Sequence, residues 1–132
     1  MKVLSIKEPF ATLIARGKKS IETRSWKTKY RGPLYIHASI SKIDKETLSR
    51  TELMDLVGND ELSYGCIICK CDLVDCIYMT EEFIEDIKKD HQEYICGYYS
   101  VGRYAWVLDN IEIIDKIPTK GKLGIWNYEE DK

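Results

Sequence analysis

No stretch of this chain comes near the ~20 consecutive apolar residues that a membrane-spanning helix requires. Its opening, Met1-Lys2-Val3-Leu4-Ser5-Ile6, also has too short an apolar segment for an export signal. No membrane partner is expected, and the cytoplasm is the expected compartment. Repeats, low-complexity tracts and linker-like segments are missing, and the three prolines are scattered at positions 9, 33 and 118. Solenoid and disordered architectures are thereby set aside. One domain over residues 1–132 is expected, within the ~100–200 residues usual for a domain.

Cysteine does not come in an even set: the five are Cys66, Cys69, Cys71, Cys76 and Cys96. Without an export signal they read as reduced thiols. Cys66-x-x-Cys69 has zinc-knuckle spacing, but no second such pair and no close histidine pair completes it. The run Gly65–Cys76 also reads as a continuous strand, in which knuckle turns do not form easily. Thiols packed as small apolar side chains are expected, with no metal and no cofactor.

An excess of charge of one sign is missing too. The net charge of −2 gives no chain-wide field to attract nucleic acid. The distribution is uneven, however: Arg16–Arg31 holds seven basic residues and one acid, Glu22, for a local +6. Such a strip supplies phosphate contacts or is a solvated charged hairpin, and charge alone does not separate the two.

What is present, 44% hydrophobic and 32% charged residues, is the make-up of a globular protein able to bury a core without staples. Met1–Ile6 is expected as a strand and Pro9–Arg16 as a helix, with Pro9 in its first turn and Gly17 as its stop. Ser20–Trp26 alternates, with Ile21, Thr23 and Ser25 on one side and Glu22, Arg24 and Trp26 on the other. Leu34–Ser39 is a second strand with Leu34, Ile36 and Ala38 inward. Asp44–Val57 reads as one helix with Leu48, Leu53, Leu56 and Val57 near one face. Gly65–Ile77 is a long apolar strand, and Thr80 caps a helix running to about Gln92. Tyr104–Val107, Glu112–Ile117 and Gly124–Tyr128 complete the strands. Strands not interleaved with crossover helices predict an α+β fold, a small mixed barrel and not a doubly wound sheet.

The strongest local feature is Gly17-Lys18-Lys19-Ser20-Ile21-Glu22-Thr23-Arg24. Glu22 and Arg24 are two apart, so a strand puts them on one face, and Lys19 in the entering turn is able to reach it. On a cleft wall, Glu22 would orient both cations toward a phosphate or a base edge. On a convex surface the same three are a charge ladder worth little.

Gly17, Lys19, Glu22 and Arg24 match the G-x-K-x-x-E-x-R signature of the ASCH domain, which the chain resembles over nearly its whole length. Ser5-Ile6-Lys7-Glu8-Pro9-Phe10-Ala11 is similar to the S-x-x-x-P-W-A opening found at the C-terminus of activating signal cointegrator proteins, with Phe10 in place of tryptophan. Arg24-Ser25-Trp26, Tyr30-Arg31-Gly32, Gly65-Cys66, Asp72–Cys76, Lys120-Gly121 and Ile125-Trp126 resemble further blocks in the same order. The resemblance implies a PUA-like β-barrel of about six strands, two to three flanking helices and a groove between the first helix and the motif strand. It also implies binding of RNA or DNA. It puts Lys19, Glu22 and Arg24 in the groove and Ser5, Lys7 and Trp26 on its rim or wall. Lys27, from the basic strip, is a further candidate contact.

Trp26 is either a stacking platform for a base or part of the core, whereas Trp106 and Trp126 read as core. His37 alternates out of phase with Leu34, Ile36 and Ala38. It is therefore solvent-facing or a hydrogen-bonding group of the groove, and His91 is expected at the surface. One branch of the family resembles amidohydrolases of acetylated cytidine, which use the motif lysine with a threonine where this chain has Glu22. Here Thr23 falls on the opposite strand face, and Ser20 is the other hydroxyl nearby. The resemblance thus favours an RNA or other nucleic-acid binder. Hydrolysis of an N4-acylated cytidine or similar modified nucleoside, or RNA cleavage, by Lys19 and Glu22 is the alternative.

Overall fold

Period-two and continuous apolar runs become six strands in the computed structural model, which describes residues 1–129. They are β1 (Lys2–Ile6), β2 (Ile21–Arg24), β3 (Gly32–Ala38), β4 (Cys66–Tyr78), β5 (Tyr104–Pro118) and β6 (Ile125–Asn127). Their order across one sheet is β2-β5-β4-β3-β1-β6. β1 and β3 are parallel, with Val3 opposite Tyr35 and Ser5 opposite His37, and the other pairings are antiparallel. No ladder joins β2 to β6 among the described residues, so the curled sheet is an open half-barrel of the α+β, PUA-like kind.

Helix α1 (Phe10–Ala15) packs on β3, β4 and β5, with Ala11, Thr12, Leu13 and Ile14 all buried. The main core, which includes Leu4, Ile6, Leu34, Ile36 and Trp106, closes around it. Pro9, at its N-cap, makes no side-chain cap bond, and Glu8 takes that role. Its buried carboxylate accepts the N–H groups of Thr12 and Ser63, each at 2.8 Å. Orphan donors at a helix start need such a partner when water is excluded.

Two expected helices each split in two. Asp44–Val57 becomes α2 (Lys45–Leu48) and α3 (Thr51–Val57), because Arg50 between them is extended and sends its guanidinium to the Ile95 carbonyl. Leu48 is consequently exposed, while Leu53 and Val57 pack against Leu13 and Cys96. The segment after Thr80 becomes α4 (Glu81–Lys88) and α5 (His91–Ile95), the second started by Asp90, whose side chain accepts the Glu93 N–H at 3.2 Å. Conversely, the two strands expected over 104–117 are one. Asn110 at φ 54° and register shifts in the β4–β5 ladder carry the chain through without a loop. No helix among the described residues is long and apolar enough to cross a membrane.

Cys69, Cys71 and Cys96 are buried and Cys66 and Cys76 are partly exposed, all as free thiols. Burial pushes the Cys69 thiol up and raises Cys71 to about 12, the neighbouring Asp72 charge adding to it. Burial also raises Cys96 to about 11, although the Lys19 ammonium pulls the other way. Because the thiolate is the nucleophile, an alkylating reagent at pH 8 is expected to modify Cys66 and Cys76 in the native protein. The other three should react only once the chain unfolds. Peptide mapping that finds all five labelled at one rate would contradict this packing.

Candidate ligand-binding cleft

The signature residues meet because of how α1 ends. Gly17, at φ +73°, sits in the left-handed region that favours glycine. Its N–H donates to the Ile14 carbonyl (3.0 Å) and the Lys18 N–H to the Leu13 carbonyl (2.9 Å), the Schellman pattern. The reversed chain then brings Lys19 under the entry to β2. Its ammonium donates to the carbonyls of Ile21 (2.6 Å) and Cys96 (2.7 Å) and lies 3.7 Å from Glu22 Oε1, with the residue only 1% exposed. Two N–H groups are thus spent on backbone and the third faces Glu22.

Glu22 and Arg24 share a face of β2, as the two-residue period requires. Glu22 Oε2 accepts from Arg24 Nε at 3.0 Å and lies 3.0 Å from Nη2, which donates to the Ser5 carbonyl at 3.0 Å. The guanidinium stacks 5.5 Å over the Trp26 ring and 6.0 Å from that of Trp106. Arg24 is therefore held at four points, while its Nη1 makes no hydrogen bond among the described residues.

These groups form the floor of a cleft of about 630 Å³. Six cations line it, Lys7, Lys19, Arg24, Arg50, Arg103 and Lys122, against one carboxylate, Glu22. A concave site with that excess focuses positive potential. The +6 strip of the sequence is not its source. Arg16 and Lys18 face Asp60 at 3.9 and 2.8 Å, Arg31 lies 3.9 Å from Asp75, and Lys27 is exposed outside the cleft lining. Only Lys19 and Arg24 of the strip reach the cleft. Lys18 holds the Asp60 carboxyl below its ordinary value by donating to it.

Ser5, Lys7 and Trp26 all line the cleft, Trp26 as a rim residue 47% exposed, while Trp106 and Trp126 are core. His37 departs from the expectation of an outward-facing ring: it is 1% exposed and outside the cleft lining. β3 keeps its alternation, with unbroken pairing to β1, but Trp126 covers the ring edge-on at 5.8 Å. His37 Nε2 lies 2.7 Å from the Thr119 carbonyl, which only accepts, so that nitrogen carries the proton. Nδ1 then accepts from Ser5 Oγ (3.1 Å), which in turn accepts from Trp126 Nε1 (3.1 Å). Gly121 closes over this relay, where a Cβ would come within 2.5 Å of Ser5 Oγ. His37 thus anchors the loop that carries Lys122 to the cleft. His91 is at the surface, 2.8 Å from Glu52.

Arg50, Arg103, Lys122 and Tyr98 are cleft residues that no local pattern in the sequence marks. Glu93 is a buried organiser: its carboxylate accepts from the N–H (2.8 Å) and hydroxyl (2.6 Å) of Ser20 and from the Ile21 N–H (3.2 Å), fixing the turn that bears Lys19. Asp90-x-x-Glu93 has the form of a capping box, a legible sign of a new helix start but not of where the carboxylate goes. Among the described residues, no three His, Cys, Asp or Glu side chains are placed to hold a metal ion.

Comparison with known proteins accords with this architecture. Activating signal cointegrator 1 of Homo sapiens is 30% identical over 134 residues, covering 96% of this chain, and that of Mus musculus is 29% identical over the same share. The chain spans 22% of the length of either relative. A sequence profile of the ASCH domain matches residues 4–118, which take in β1, the signature turn and the sheet through the end of β5. This chain belongs to the ASCH domain family.

Proposed function

We propose that the cleft binds nucleic acid, RNA foremost, in the cytoplasm, with Arg24 and Glu22 as floor contacts and Lys19 holding Glu22 from beneath. The observation that carries this reading is the convergence of six cations from separate chain segments on one concavity with a single carboxylate, where Arg24 Nη1 is unspent. Ser5 and Lys7 form the wall and Trp26 the rim, and an RNA segment or a modified nucleoside has the anionic and planar groups such a site accepts. Lys27 and His37 support it indirectly, Lys27 as an outlying cation and His37 through the anchored loop.

Binding without hydrolysis is favoured by the state of the two candidate hydroxyls. Thr23 Oγ1 accepts from the Tyr98 N–H at 3.0 Å, and Ser20 Oγ donates to Glu93 at 2.6 Å. Ser20 lies outside the cleft lining, so its bond to a carboxylate activates nothing there, and Thr23 Oγ1 has no base bonded to it among the described residues.

Titration of a fluorescent 12-nucleotide RNA at low salt tests the reading. Arg24→Ala is expected to weaken binding about ten- to a hundredfold, from lost charge-assisted hydrogen bonds, and to lower the salt slope by about one contact. A melting curve separates this from unfolding. If neither RNA nor DNA of any form binds measurably, the reading fails.

A further inference from the structure

We infer that the cleft selects unpaired strands over duplex, and that Tyr98 is a base-stacking platform in addition to Trp26. This rests on the nucleic-acid reading of the same cleft. The cleft holds two exposed aromatic rings, Trp26 at 47% and Tyr98 at 66%, and each has an arginine against it. Arg24 lies 5.5 Å over Trp26 and Arg103 lies 4.5 Å over Tyr98.

Both assemblies are fixed to backbone. Arg24 donates to the Ser5 carbonyl. Arg103 donates to the carbonyls of Tyr98 (3.0 Å) and Thr23 (3.3 Å), and Thr23 Oγ1 receives the Tyr98 N–H. Tyr98 is thereby tied to β2 one residue away from both Glu22 and Arg24. Gly97, before it, admits no side chain, since a Cβ would sit 2.6 Å from Tyr99 and 2.9 Å from Thr23. An exposed aromatic residue with such anchoring loses little freedom when a planar group stacks on it.

A duplex cannot use these parts. Its base faces are already stacked on one another, and its phosphates lie on a convex outside, whereas Arg24 and Glu22 are on the floor of a concavity with side chains 17% and 10% exposed. An unpaired nucleotide offers a free ring face to Trp26 or Tyr98 and is narrow enough to bring a phosphate or base edge down to Arg24. The arginine over one face of each ring adds charge for the intervening phosphates.

The experiment compares one 12-nucleotide RNA, alone and annealed to its complement, by fluorescence anisotropy at fixed salt. The proteins are the parent chain, Tyr98→Ala, Trp26→Ala, Tyr98→Phe and Arg24→Ala. The single strand is expected to bind at least about tenfold tighter than the duplex. Tyr98→Ala and Trp26→Ala should each weaken single-strand binding about five- to a hundredfold, and Tyr98→Phe should keep it. Equal or tighter duplex binding, or unchanged single-strand binding in Tyr98→Ala, overturns this inference. The cleft reading survives either result so long as Arg24→Ala still weakens binding. Failure of both nucleic acids to bind removes the cleft reading itself and this inference with it.

Discussion

Replacing Lys19 by methionine is expected to destabilise the protein by about 3–5 kcal/mol, the usual cost of breaking a buried ion pair from one side. In a domain of this size that corresponds to a fall of about 10–20 °C in melting temperature. The methionine fills the space, so the loss comes from chemistry: the carbonyls of Ile21 and Cys96 lose their donor at a buried position, and Glu22 keeps only Arg24. The Cys96 carbonyl lies at the C-terminal end of α5, where carbonyls have no partner within the helix. Lys19→Arg is not expected to rescue, because a planar fork does not reproduce an ammonium aimed at two carbonyls. In the double variant Lys19→Met/Glu22→Gln the loss should be less than the sum of the singles, since the two charges are coupled. Calorimetry of the three variants checks this, and a melting shift under about 3 °C for Lys19→Met would mean that the ammonium is not the tie described.

Trp106→Ala is expected to cost a similar about 3–5 kcal/mol, and to weaken ligand binding as well. Trp106 is 1% exposed in the main core, directly across the β2–β5 ladder from Glu22. Its ring meets that of Trp26 edge-on at 6.4 Å, its Nε1 donates to the Trp26 carbonyl at 3.2 Å, and Arg24 lies 6.0 Å from its centroid. One side chain therefore serves as core, as backing for the guanidinium and as anchor of the rim. Trp106→Phe keeps an aromatic ring in the core but loses the hydrogen bond and part of the volume, so a smaller loss than that of the alanine variant is expected there. Chemical denaturation separates the two contributions. A phenylalanine variant as damaged as the alanine one would show that the bond to Trp26, and not the packing, dominates.

Both effects arise at positions whose roles the sequence discloses unequally. Glu22 and Arg24 were readable as a same-face pair because strand geometry has a period of two, and Gly17 as a helix stop because only the left-handed region closes that turn. Trp106 was readable as core from its apolar strand. The basic strip was misleading in a physical sense: neighbours along the chain spread over opposite surfaces once Gly17 reverses it, so Arg16 and Lys18 turn to Asp60 while Arg50, Arg103 and Lys122 arrive from far away. His37 stays on the face of β3 opposite Ile36, as alternation requires, but that face does not meet solvent, because Trp126 and the loop through Thr119 and Gly121 cover it.

Local chemistry, then, determines the strands and α1, the reversal after it, the alignment of Glu22 with Arg24, and, through those residues, the family. What only the tertiary structure decides is that Lys19 is buried and committed, that Glu93 and the Cys96 carbonyl hold its turn, and that the cleft's charge comes from dispersed cations. These depend on contacts across 72 to 77 residues of chain. A hydrogen bond at that separation is set by the packing of α5 against β2, on which the spacing of neighbouring residues has no bearing.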